Sequence, residues 1–156
     1  MQIVLVLLFI VLGGGPAGER KCSCVKADDR DVPHGANELV EFGSRTLKTL
    51  HGTVTLPNNE PVNNAVIEVY ESSNADNDKS AYEIASTEPR KFACLPDRNG
   101  QFCLSDLPSG RYVLRIGTLQ PTGLNEVFLK VRLERSWWKS WFRSGKPLEV
   151  VLTLGT

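Results

Sequence analysis

The sequence predicts an all-β chain, an antiparallel Greek-key β-sandwich of about seven strands. Three observations carry that prediction. Apolar and polar residues alternate with period two in several short runs, which is the pattern of half-buried strands. Turn residues punctuate those runs at close intervals. The length of 156 residues, with 41% hydrophobic and 23% charged residues, suits one domain with a real core and some tail.

At the start, residues 3–12 form an unbroken apolar run followed by Gly13-Gly14-Gly15-Pro16-Ala17. That is the order of a signal-peptide core and a small-residue cleavage site. The run is shorter than the roughly 17–25 apolar residues a spanning helix needs. Residues 1–17 are therefore expected to be a signal peptide, and the chain to be secreted, periplasmic or extracellular with no stable membrane span. The residues ending at Cys22 are Glu-Arg-Lys-Cys, so no lipoprotein box precedes it. Residues 18–46 mix charges with Pro33 and Gly35 without a sustained period and read as an extended arm. The sandwich domain is expected over residues 47–156.

Gly52, Val54 and Leu56 alternate with Thr53 and Thr55 as a first strand, closed by the turn Pro57-Asn58-Asn59-Glu60-Pro61. Ala65, Ile67 and Val69 give the second strand its inward face, with Val66, Glu68 and Tyr70 outward. Residues 72–89 are polar and read as a solvated insertion in preference to a recognition loop, with one helical turn capped by Ser80 and Glu83.

Residues 90–116 organise the rest. Asp97-Arg98-Asn99-Gly100 places an acceptor side chain at the head of a turn and Gly where positive φ is needed, the chemistry of a hairpin. Phe102 and Leu104 then alternate with Cys103 and Ser105. After a second turn, Leu107-Pro108-Ser109-Gly110, Tyr112, Leu114 and Ile116 alternate with Arg111, Val113 and Arg115. These are expected as three strands of one antiparallel sheet. Val127, Leu129, Val131 and Leu133 begin the closing strands, and Leu148, Val150, Leu152 and Leu154 complete them.

Four cysteines in an exported chain are expected in two disulfides. A two-residue loop at Arg98-Asn99 puts Cys94 directly opposite Cys103 at a spacing a disulfide can bridge. A bulge at Gly100 turns the two thiols to opposite sides, and Cys22 and Cys24 then become the partners of this hairpin. The sequence leaves both open. Cys22 and Cys24 as thiolates would suit Cu(I), with His34 and His51 the only imidazoles, but no four-ligand spacing is present and no metal or cofactor is assigned.

Between the last two strands, Trp137, Trp138, Trp141 and Phe142 lie beside Lys139 and Arg143, and all three tryptophans of the protein are here. Rigid aromatics next to cations can stack on sugars or close the open end of a core, so these six residues are the candidate ligand- or partner-binding set.

The run DRNGQFCLSDLPSGRYVLRI resembles the Asp-x-x-Gly-x-Phe…Leu-Pro-x-Gly-x-Tyr signature of carboxypeptidase regulatory-like domains. HGTVTLPNNEPVNNAVIEVYE resembles the family's opening pair of strands. These domains are close in form to Cna protein B-type and transthyretin-like sandwiches. The resemblance implies a sandwich that accompanies enzymes, receptors or adhesins without doing chemistry itself. The chain lacks the zinc ligands of the peptidase that gives the family its name. It also lacks the C-terminal Tyr-Arg-Gly-Ser of the transthyretin-like hydrolases. A last strand without Asn or Asp deprives Lys48 of an isopeptide partner.

No nucleophile elbow or phosphate loop occurs either, so no catalytic residue is assigned. Lys plus Arg and Asp plus Glu number 18 each, which gives no global bias toward nucleic acid. The expected function is that of a non-catalytic exported binding or structural module of the cell envelope or exterior, with a protein or glycan partner. The alternatives are a carbohydrate-binding module using the Trp-rich loop, and a cysteine-based redox or copper protein.

Overall fold

The alternation in the sequence appears as strands throughout the computed structural model, which describes residues 24–27, 38–105, 107–134 and 147–153. The strands are β1 (Val25–Lys26), β2 (Leu39–Leu47), β3 (Leu50–Thr55), β4 (Ala65–Ser72), β5 (Arg90–Leu95), β6 (Gln101–Leu104), β7 (Gly110–Thr118), β8 (Glu126–Leu133) and β9 (Leu148–Val151). One short helix, α1 (Ala81–Thr87), follows a single 3-10 turn at Asn74–Asp76. The chain is all-β in class, with nine strands among the described residues where about seven were expected. Residues 1–17, expected as a signal peptide, and the Trp-rich set Trp137, Trp138, Lys139, Trp141, Phe142 and Arg143 lie outside the described residues.

The strands form a six-stranded sheet in the order β1-β5-β4-β7-β8-β2 and a three-stranded sheet in the order β6-β3-β9. The expectation of a wholly antiparallel arrangement is corrected here, because β2 runs parallel to β8 and β3 parallel to β9. The reason is connectivity. β2 and β8 lie side by side in the larger sheet, and each leads into a strand of the smaller one, β3 and β9, that also lie side by side. Two neighbours that make the same crossing in the same direction must be parallel in both sheets. Where β3 passes β9 the backbones are too close for a side chain, since a Cβ on Gly52 would sit 1.9 Å from the Leu148 carbonyl oxygen.

Phe102, Leu104, Leu107, Tyr112, Leu114 and Ile116 are buried in one core with Leu50, Val54, Ile67, Val69 and Leu129. The two sheets share this core, and burial of each such side chain contributes roughly 1.5–3 kcal/mol. The turn after Leu107 is closed by its own tyrosine, whose hydroxyl donates to the Pro108 carbonyl at 3.0 Å.

The central stretch departs from the expected single sheet. β5 and β7 belong to the larger sheet, but β6 between them belongs to the smaller. The turn itself forms as its residues require. The Asp97 carboxylate accepts from the amides of Asn99 and Gln101 at 2.9 and 2.8 Å, and Gly100 takes φ 70°. The strands leaving it diverge because the Gly100 carbonyl accepts from Val54, which draws β6 onto β3. Cys94 consequently pairs in register with Lys26 and Ile67, and Cys103 with His51 in the other sheet. The possibility of a Cys94–Cys103 bridge is thereby overturned. Cys94 is bonded to Cys24, with Cα atoms 5.7 Å apart, and Cys103 is also disulfide-bonded.

Two pieces of the stretch expected as an arm are built into the larger sheet, β1 against β5 and β2 against β8. The outer face of that sheet is covered in part. The Ser80 hydroxyl accepts from the Glu83 amide at 3.1 Å, and the Glu83 carboxylate accepts from the Ser80 amide at 2.7 Å, so the expected cap starts α1. The insertion is not simply solvated, however. Ala81 and Ile84 are buried against Tyr70, Val113 and Phe128, because the outward residues of β4, β7 and β8 include apolar side chains that need a cover. Val66, Glu68 and Tyr70, expected to face outward, do so yet are buried.

Candidate functional site

Charged side chains on the outer face of the larger sheet gather in two places. At its centre, Glu68 of β4 stands opposite Arg115 of β7. The Tyr70 hydroxyl donates to Glu68 at 2.8 Å, Arg90 to the same carboxylate at 2.9 Å, and Arg115 at 3.3 Å. Arg115 also makes a forked pair with Glu126, with its Nε at 2.9 Å and its Nη2 at 3.2 Å. Glu68 and Glu126 are almost completely buried. Both are therefore sustained by guanidinium groups, which suit planar two-point pairing better than an ammonium.

The electrostatics of this cluster are those of a closed unit. Burial, then the charge and hydrogen bond of Glu68, push the Tyr70 hydroxyl up to about 12. Burial on its own would lower Arg115, but the hydrogen bonds and charge of Glu126, with the charge of Glu68, outweigh it and raise the guanidinium. Neither group is poised to exchange a proton near neutral pH.

At the end of the same face the register sets a row of outward residues across four strands. Ser72 of β4 is opposite Arg111 of β7, Arg111 is opposite Arg132 of β8, and Arg132 is opposite Thr46 of β2. With Ser44, Lys130, Asp76 and Asn77 these line a cleft of about 390 Å³. Arg111 donates to the Asn77 side-chain oxygen and Lys130 to the Lys79 carbonyl, so both cations are tethered to the turn after the 3-10 helix. That turn is held by Asp76, which accepts from Ser73 and pairs with Lys79 at 2.7 Å. The Lys79 hydrogen bond, followed by those from Ser73, holds the Asp76 carboxyl well below the usual carboxylate range.

A smaller and more apolar cleft of about 280 Å³ lies where Cys24, Phe92, Cys103 and Leu104 meet Leu107 and Pro108. Of the cysteines singled out in the sequence, Cys24, Cys94 and Cys103 are all disulfide-bonded, and Cys22 lies outside the described residues. No group of three or more His, Cys, Asp or Glu able to hold a metal ion occurs among the described residues. Nor is any helix there long and apolar enough to cross a membrane.

Arg111, Lys130, Arg132 and the Glu68 cluster are singled out by no motif of the sequence. The signal was the presence of cations at outward positions of two successive strands. It becomes a site only once the register of β7 against β8 is known. Compared with known proteins, the chain matches no protein-family model, no curated protein and no solved structure.

Proposed function

We propose that the protein is a non-catalytic binding or structural module of the cell envelope or exterior, exported by its N-terminal segment and built as a Greek-key sandwich of the carboxypeptidase regulatory-like kind. The observation that carries the reading is the saturation of its buried polar groups. Among the described residues no buried side-chain nitrogen or oxygen lacks a hydrogen-bond partner. The charges at the centre of the sheet are spent on one another, which suits a rigid scaffold better than a centre for proton transfer. The burial of Phe102, Leu107 and Tyr112 supports the family reading, since these are the apolar residues of the resembling motif. The disulfide of Cys24 with Cys94 supports export into an oxidising compartment and counts against a reduced thiolate pair for copper.

The test is co-sedimentation of the purified protein with isolated envelope polysaccharide, followed by mass analysis of the bound material. Saturable binding with the polysaccharide recovered at unchanged mass is the expected result. Recovery of a cleaved or modified product overturns the non-catalytic reading, and no binding removes envelope polysaccharide as the partner.

A further inference from the structure

We propose that the cleft at the end of the larger sheet is an oxyanion site for a small hydroxylated anion, a sugar-sized body carrying a carboxylate, sulfate or phosphate. The inference rests on the binding-module reading and gives it a ligand class.

The first ground is register. Arg111 and Arg132 are directly opposite on neighbouring strands and both face outward, an arrangement that costs stability unless negative charge lies between or over the pair. The row that contains them, Ser72-Arg111-Arg132-Thr46, brings hydroxyls at both ends and no carboxylate of its own.

The second ground is charge. The cleft gathers Arg111, Lys130 and Arg132 around one acid, Asp76, whose charge is already taken up by Lys79. Arg132 does pair with Glu134 at 2.9 Å, but both side chains are more than half exposed. Such a pair is screened by solvent, and a ligand oxyanion can replace it.

The third ground is preorganisation. Tethering of Arg111 by Asn77 and of Lys130 by the Lys79 carbonyl fixes two of the three cations before any ligand arrives, which lowers the entropy lost on binding. Guanidinium forks match the geometry of an oxyanion, while Ser44, Thr46, Ser72 and Asn77 offer the neutral hydrogen bonds that hydroxyl groups require. A volume of about 390 Å³ is more than an isolated ion fills and belongs at the small end of ligand pockets.

The experiment is a titration of the purified protein followed by backbone amide NMR, with sodium glucuronate, glucose, sodium sulfate and sodium phosphate as separate probes. Glucuronate is expected to shift the amides of Arg111, Lys130 and Arg132 with an affinity at least tenfold above that of glucose. That affinity should fall as sodium chloride is added. Sulfate or phosphate shifting the same amides supports the oxyanion site and identifies the charged group as sufficient. In Arg132→Thr the glucuronate affinity is expected to drop at least tenfold, and Arg111→Lys, which keeps the charge but loses the fork, should give an intermediate loss. Unmoved cleft amides with all three anions, equal affinity for glucose and glucuronate, or unchanged affinity in both variants overturns the proposal. Polysaccharide co-sedimentation that survives in the Arg111→Ala, Arg132→Ala double variant would sink the cleft while leaving the module reading intact.

Discussion

Arg115 and Arg111 stand on the same strand and the same face of the same sheet, yet their surroundings are opposite. Beside Arg115 the neighbouring strands bring Glu68 and Glu126, and the result is a buried, mutually satisfied unit. Beside Arg111 they bring Ser72 and a second arginine, and the result is an open cleft. The residue type is shared, so the difference lies in what the register places across from it. A guanidinium faced with carboxylates from its own sheet becomes structure. One faced with hydroxyls and a like charge is held by the neutral Asn77 side chain and lines an open cleft.

The sharpest way to break this contrast is to remove the arginine at the centre. Arg115→Ala leaves Glu126 and one side of Glu68 as uncompensated buried charge, and is expected to cost about 3–5 kcal/mol in urea unfolding. Arg111→Ala should stay within about 0.5 kcal/mol of wild type. Equal losses at both positions would show that the centre and the end of the face are alike.

The next effect is one of pH. The Tyr70 hydroxyl titrates near 12 when folded and near 10 when unfolded, so the folded state binds the proton more tightly. Its contribution to stability is complete below pH 10 and is lost as the pH rises from 10 toward 12. Phenolate absorbance should show a late-ionising component that is lost in Tyr70→Phe. The smallest effect has the opposite sign. Arg132→Thr relieves the cross-strand repulsion with Arg111 and is expected to stabilise the ligand-free protein by about 0.2–1 kcal/mol, read as a higher denaturation midpoint.

The inner faces of the strands were legible in the sequence because burial there follows the period-two rule. Leu114, Ile116, Val127 and Leu129 are placed by alternation alone. The turn at Asp97 was legible for the same kind of local reason. What alternation does not encode is the direction or identity of a strand's partner. The residues of β8 alternate equally well beside antiparallel β7 and parallel β2, and nothing near Gly100 announces that Val54 will capture its carbonyl. The choice between the two cysteine pairings that the sequence left open, and the pairing of Arg111 with Arg132, both depend on that missing information. Ser80 and Glu83 announced the helix, but its apolar side acquires meaning only from Val113 and Phe128 beneath it.

The bond between Cys24 and Cys94 also bears on how the protein withstands damage. It encloses the chain from the first described strand through β5 in one covalent ring, with the exposed loops around α1 inside it. A single protease cut within that ring opens a loop but releases no fragment, so the severed halves stay moored together for as long as the sulfur bridge is intact.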